Sequence, residues 1–254
     1  MRFCLTVLVL AVCAAPAAGQ QPPPPTPRPS PDFLFSAPDG SIAVRGSWLF
    51  ARAGSDWFDF VSDHLTLEPD DFNVPGFGID ISLAVAPRAD IQFGLDYSRA
   101  SISSEYRDFV DNNRLPITQA TRLREVNLSG NIKFALTDRG RGIGRFAWVP
   151  RRVVPFVGAG GGVLWFDVNQ TGDFVDFVDL SIFTDVFQSR GWAPSAQIFG
   201  GVDLRLFKRL YVMFDGRYLW AAGDLGRDWI DFEPIDLAGF RLSAGINVVF
   251  AGRP

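Results

Sequence analysis

The sequence predicts an all-β protein, a single eight-stranded antiparallel up-and-down transmembrane β-barrel. Three observations carry that expectation. Apolar and polar residues alternate with a period of two through most of the chain, so one side of each segment faces an apolar medium. The composition is 47% hydrophobic, with 24 Phe, 7 Trp and a mean hydropathy of +0.11. Yet the longest apolar run is N-terminal and falls short of the roughly 20 residues a spanning helix requires. Connections between the alternating segments are short and long in turn, the rim asymmetry of membrane barrels.

The elements follow in chain order. Residues 1–19 read as an export signal, with Arg2 as the positive start, Phe3 to Val12 as the apolar stretch and Ala17-Ala18-Gly19 as the cleavage site. Removing those 19 of 254 residues leaves 235, takes away both cysteines (Cys4 and Cys13) and moves the net charge from −4 to −5. Residues 20–37 form a Pro-rich arm on the periplasmic side, extended and without a core of its own. The barrel occupies 38–250, and 251–254 is a short tail. Its clearest strand is the last, where Phe240, Leu242, Ala244, Ile246, Val248 and Phe250 alternate with Arg241, Ser243, Gly245 and Asn247. Residues 123–136 and 77–85 repeat that pattern. Segments beginning near Ile42, Ile91, Ile198 and Val212 fit as well. An eighth strand, Val153 to Phe166, is required by the spacing, although its two faces are not separable by composition. The strands are expected to run about ten residues each. Pro87-Arg88-Ala89 and Lys208-Arg209 read as tight turns and 138–152 as a longer one; 54–74, 107–120, 169–191 and 222–236 are the long links.

The composition excludes several functions. With one histidine, His64, and no mature cysteine, a structural or catalytic zinc site has no ligand set. A disulfide scaffold is ruled out on the same ground. A pI near 5.0 is wrong for a nucleic-acid binder. No cofactor is expected.

The polar face of the strands is small and weakly charged, and lysine occurs only twice, at Lys133 and Lys208. A soluble periplasmic β-protein, the alternative, would carry more charge on a solvated face. The expected lumen holds Arg45, Lys133, Arg205, Arg217 and Arg241 against Asp80, Asp96, Glu125, Asp203 and Asp215. An eight-stranded lumen is only wide enough for side chains, so these charges must pair. Turn register suggests diagonal pairs Asp203–Arg217 and Arg205–Asp215, and puts Asp80 opposite Asp96 with Arg45 or Lys133 between them. Trp48, Phe50, Phe77, Trp165, Trp192, Tyr218 and Trp220 fall at the long-loop ends of the strands; Phe134, Phe207, Tyr211 and Phe250 fall at the turn ends. Membrane barrels carry aromatic girdles at these two levels.

With these residues in hand, the chain resembles the small outer-membrane β-barrel proteins. That group includes the transmembrane domain of outer membrane protein A, the opacity-type adhesins and the "porin family" small barrels. The final Gly245-Ile246-Asn247-Val248-Val249-Phe250 and the Pro155-Phe156-Val157-Gly158-Ala159-Gly160-Gly161-Gly162 stretch are similar to strands of that group. The resemblance is architectural and covers about residues 38 to 250. It implies outer-membrane lipid and lipopolysaccharide as surroundings. It also implies that Ile246, Val248 and Phe250 act as the signal read by the barrel-assembly machinery, with Ala251 to Pro254 as a departure after it. Some barrels of this size are lipid-A acyl-transfer enzymes with a loop histidine; His64, with Ser101, Ser103, Ser104 and Asp108 on the next link, is the only candidate here.

The glycine runs at 158–162 and 140–144 lack a dinucleotide-binding context and read as close packing and a flexible connection. The long links are acidic, with Asp56, Asp59, Asp63, Glu68, Asp70 and Asp71 in the first, while the turn rim carries Arg139, Arg141, Arg145, Arg151, Arg152, Lys208 and Arg209. Interleaved with the acids are Trp57, Phe58, Phe60, Phe174, Phe177, Phe183, Phe187, Trp229 and Phe232. Such aromatics either pack together as a cap or bind a surface partner. The expected function is a non-enzymatic structural or surface-interaction component of the cell envelope with a plugged, ion-paired lumen. The alternatives are a small channel for small or apolar solutes and the loop-histidine enzyme.

Overall fold

A computed structural model describes residues 33–144 and 147–250. The export signal, most of the Pro-rich arm, Arg145 and the tail 251–254 lie outside the described residues. The strands are β1 (Gly40–Ala51), β2 (Pro75–Ala86), β3 (Ala89–Val110), β4 (Pro116–Ala135), β5 (Gly140–Ile143), β6 (Ala147–Pro150), β7 (Val153–Val175), β8 (Ile182–Arg205), β9 (Leu210–Gly223), β10 (Ile235–Asp236) and β11 (Gly239–Phe250). A helix, α1 (Asp56–His64), and a 3-10 turn at Pro69–Phe72 lie between β1 and β2.

Eight of these strands close a ring in the order β1, β2, β3, β4, β7, β8, β9, β11, with β11 returning to β1 from Gly40↔Phe250 to Ala51↔Gly239. Every pairing in the ring is antiparallel. Closure leaves no edge strand, so every backbone group along the wall can be satisfied internally, the condition for crossing a bilayer with strands. Among the described residues no helix is long and apolar enough to cross a membrane.

The outer wall carries a continuous apolar belt. Its outward side chains include Ile42, Val44, Ile79, Ile81, Phe93, Ile132, Ile198, Phe214, Leu242 and Ile246, all exposed. From Ile42 to Phe50, Phe77 to Val85, and Val212 to Trp220, the outward positions hold no Asp, Glu, Lys or Arg. The same holds from Tyr97 to the start of β3 and from Val126 to Phe134. Each stretch is nine residues, the length at which a tilted strand spans hydrocarbon. An exposed apolar surface of this extent far exceeds what a soluble monomer tolerates. The fold is therefore a transmembrane β-barrel, polar inside and apolar outside in the belt.

Several sequence expectations need correction. The strands are not uniformly about ten residues. β1, β2, β9 and β11 have 12, 12, 14 and 12, whereas β3, β4, β7 and β8 have 22, 20, 23 and 24. Most of the expected links at 107–120 and 169–191 are thus ladder, continuing past the belt to tips at 111–115 and 176–181. The turn at 138–152 contains the β5–β6 hairpin, whose Trp148 bridges Leu34 through backbone bonds of 2.8 and 2.7 Å. The Val153–Phe166 strand resolves into two faces: Val154, Phe156, Leu164 and Phe166 point inward and are buried, while Val153, Val157 and Val163 are exposed. Tyr211, assigned to a girdle, is 4% exposed and belongs to the inward face.

Candidate functional site

The site has two storeys, a polar lumen within the belt and an aromatic cap above it. In the lumen, Arg45 on β1 donates from Nε to Asp80 Oδ2 on β2 at 2.8 Å and reaches Asp96 Oδ1 on β3 at 2.7 Å. Arg217 on β9 lies 3.1 Å from Asp215, 3.5 Å from Asp80 and 3.8 Å from Asp96. Arg241 on β11 donates to Glu125 on β4 at 2.9 Å and to Ser98 Oγ at 3.1 Å, and Ser98 in turn donates to Glu125 at 3.1 Å. Six of these charges, Arg45, Asp80, Asp96, Arg217, Arg241 and Glu125, are 1–4% exposed. Residues far apart in sequence thus form one network across the barrel. The network has room because Gly78 carries no side chain: a Cβ there would stand 2.6 Å from the Arg45 guanidinium carbon.

Toward the turns, Lys133 donates to Asp203 at 2.9 Å and lies 3.8 Å from the centre of the Phe156 ring. Asn131, Ser129 and Gln197 form a hydrogen-bonded step between the two ionic layers, with Gln197 donating to Ser129 at 2.9 Å and to Asn131 at 2.7 Å. Asp90, not identified from the sequence, pairs with Arg139 at 2.7 Å near the turn rim. Its even position on β3, in phase with Asp96, is the signal that marks it as inward.

Three expected contacts differ in register: Asp80 opposite Asp96, and the Asp203–Arg217 and Arg205–Asp215 diagonals. Asp80 faces Gly94 and Asp96 faces Gly78, so the carboxylates are diagonal; a register shift between Ala84 and Ala86 displaces the pairing. Asp203 faces Met213, which removes the expected Asp203–Arg217 diagonal: Asp203 turns to Lys133 and Arg217 to Asp215. Arg205 stands opposite Tyr211 at the turn end, and Asp215 stands opposite Gly201.

Above the belt the first link folds inward as α1. Positions 57, 58 and 61 of its short amphipathic pattern turn inward, burying Trp57, Phe58 and Val61 to 1% exposure or less. Trp57 packs edge-on against Phe58, Phe72 and Trp229 at 4.9, 6.1 and 6.0 Å between ring centres. Phe60 meets Phe232 at 5.5 Å and Phe177 at 6.4 Å, and Phe174 meets Phe187 at 4.6 Å. The inward faces of the long strands complete this cluster with Leu123, Leu164, Phe166 and Val168. A pocket of about 180 Å³ remains between the loops, lined by Phe60, Tyr106, Phe174, Phe187, Trp229 and Phe232 among others. Phe177, at 48% exposure, and the neighbouring Val178 and Leu180 stay open to solvent at the β7–β8 tip.

His64 ends α1. Its Nδ1 lies 2.8 Å from the Phe60 carbonyl, and its ring lies tilted over Phe60 at 4.4 Å and edge-on to Phe177 at 5.1 Å between ring centres. Among the described residues no hydrogen bond links it to Ser101, Ser103, Ser104 or Asp108. No group of three or more candidate metal ligands occurs among the described residues. Ile246, Val248 and Phe250 all face outward on β11.

Fold and site together define a β-barrel with a side-chain-filled lumen and a capped mouth. Neither a protein-family model nor a curated protein sequence matches the chain. Among solved structures it is similar to the outer membrane protein OprG from Pseudomonas aeruginosa, at 10% identity and a TM-score of 0.47, over 86% of this chain and 100% of that one. It is similar to neisserial surface protein A at 11% identity and a TM-score of 0.43, over 84% and 97%. It is also similar to the outer membrane protein AlkL, solved in lipid bilayers, at 16% identity and a TM-score of 0.40, over 86% and 95%.

Proposed function

We propose that the protein resides in the outer membrane of a cell envelope, exported by its first 19 residues, with both termini periplasmic and a lumen that does not conduct. Its role is structural or surface-interacting and is carried by the loop face. The observation that supports this most is the Arg45–Asp80–Asp96–Arg217–Arg241–Glu125 network, which crosses the lumen at 4% exposure or less beneath an apolar cap. Moving an ion through it requires breaking buried pairs, each costing about 3–5 kcal/mol. The exposed Phe177, Val178 and Leu180 at the β7–β8 tip, flanked by Asp176 and Asp179, offer a surface partner an apolar patch with an acidic rim. During insertion, Ile246, Val248 and Phe250 present an outward aliphatic-aromatic end that suits recognition by the barrel-assembly machinery.

The test is a planar bilayer with the purified mature chain. The expected record is flat; a stable large conductance would reject the closed lumen. The 180 Å³ aromatic pocket favours a second reading, capture of a small apolar solute by the cap for passage to the membrane. Uptake of an apolar dye into vesicles that depends on Phe174 and Phe187, with no ionic conductance, would select that reading.

A further inference from the structure

We infer that the outer wall of β3, β4, β7 and β8 carries a binding site for a phosphate-bearing lipid headgroup, formed by Arg99, Arg122, Arg124 and Arg190 around Asp167. The inference rests on the membrane-spanning reading above and adds a site to it. On the loop side of the belt, ladder pairing aligns one row of outward residues: Phe77, Tyr97, Val126, Trp165 and Trp192. This row is the girdle that marks the hydrocarbon boundary. The next outward row, about 7 Å further along the strands, is Arg99↔Arg124↔Asp167↔Arg190. One step beyond it, Arg122 faces Ser101 and Asn169. Together they line a cleft of about 220 Å³.

The charges there are unbalanced. Arg99 and Arg124 are direct cross-strand partners, an arrangement of like charges that destabilises a sheet. Asp167 is the one carboxylate, and it is already engaged by Arg190 at 3.3 Å, by Arg124 at 4.0 Å and by the Gln188 amide at 3.0 Å. Arg99 and Arg122 make no ion pair among the described residues. The rest of the loop side is acidic, so this patch is a local exception. Guanidinium groups grip phosphate oxygens in bidentate fashion, and an anion set between Arg99, Arg122 and Arg124 converts their repulsion into attraction. The cleft opens sideways, at headgroup height and outside the wall. That placement selects a lipid phosphate, which is held at this level by its acyl chains, over a free anion arriving from water.

Native mass spectrometry of the full mature chain in a non-ionic detergent tests the site, with a bis-phosphorylated lipid A as the probe. Arg99→Gln/Arg124→Gln is compared with Arg227→Gln, a charge change on the fourth loop. Each basic residue near an anionic lipid surface contributes enough that losing two should weaken retention about thirtyfold. Arg227→Gln should match the wild type. Lipid A stripped of its phosphates should be retained equally by all three. Equal retention of the phosphorylated lipid by the double variant would overturn the site. Displacement of the bound lipid by millimolar inorganic phosphate would overturn the lipid assignment. Removing a like-charged pair should leave the urea midpoint in lipid-free micelles unchanged or higher; a fall there would show that the arginines serve the wall instead. Insertion of the wild type into phosphatidylcholine vesicles is scored separately by heat-modifiable gel migration. Its failure would count against the membrane-spanning reading, independently of the lipid result.

Discussion

Replacing Arg45 with Met removes the central cation of the lumen while keeping a side chain of similar length, so the change is one of charge more than of volume. Asp80 and Asp96, at 1% and 2% exposure, then stay buried without the guanidinium that bridges them. Breaking a buried ion pair costs about 3–5 kcal/mol because the surviving charge is left uncompensated. Here the cost falls at the lower end, since Arg217 remains 3.5 Å from Asp80 and 3.8 Å from Asp96, and Arg241 remains 4.0 Å from Asp96. The expected loss is about 3 kcal/mol, a factor of roughly 150 in the folding equilibrium. Urea unfolding in phospholipid micelles, followed by tryptophan fluorescence and by heat-modifiable gel mobility, measures it. Adding Asp80→Asn restores the original charge balance, because Asp96 keeps Arg217 and Arg241, and should recover most of the loss. A deficit below about 1 kcal/mol with no recovery is the behaviour of solvent-screened pairs. That result would mean the lumen is wet, and the closed-lumen reading would fall with it.

Two further perturbations probe the other surfaces. Trp57→Ala empties the centre of the cap, where the indole is wholly buried against Phe58, Phe72 and Trp229; about 3–5 kcal/mol of local stability is lost. Limited proteolysis of the folded protein should then cut within 54–74 at once, whereas the wild type should resist; rapid cleavage of the wild type there would remove the cap from the argument. Ile132→Arg places a charge mid-belt on a side chain that is 64% exposed to the surroundings and should cost about 2–4 kcal/mol in vesicles. A neutral outcome would show that this face meets water.

The belt was legible in the sequence because a period of two with one greasy face is a strong signal when nine residues repeat it on several strands. Ile79-Asp80-Ile81 and Ile246-Asn247-Val248 each declare both faces within three residues. Partners inside the lumen were less legible. Asp80 and Asp96 sit diagonally because of the irregularity at Ala84–Ala86, which no composition rule places. Lys133 meets Asp203 across an intervening strand, β7, so the contact depends on the inward curvature of the wall and not on any hairpin. The face of Val153–Phe166 was obscured by Gly158 to Gly162, whose missing side chains erase the alternation just where the wall is tightly packed. The arginine row is not legible in the sequence because its residues are spread over β3, β4, β7 and β8 and align only once the register is known.

The long links differ from the sequence expectation for a physical reason that also explains the cap. At the loop-side girdle the alternation does not stop; it changes sign. On β3 the outward Ile91, Phe93, Leu95 and Tyr97 give way to Arg99, Ser101, Ser103 and Glu105, while the inward Gln92, Asp96 and Ser98 give way to Ala100, Ile102 and Tyr106. β4 does the same, passing from outward Val126 to Arg124 and Arg122, and from inward Asn127 to Leu123 and Ile117. A search for one greasy face loses the strand at that inversion, although the backbone ladder runs on. Below it lipid surrounds the wall and the interior must be polar and paired; above it water surrounds the wall and the interior must be apolar. An apolar interior in water demands a core, and the four extended strands cannot supply one alone because β1, β2, β9 and β11 stop at the belt. α1, the Pro69–Phe72 turn and the Trp229 segment fill the open side of that half-wall. The loop aromatics are thus the core of a small water-facing layer seated on a membrane barrel. Arg45→Met and Trp57→Ala should therefore act separately, one on insertion stability and the other on protease resistance of the loops.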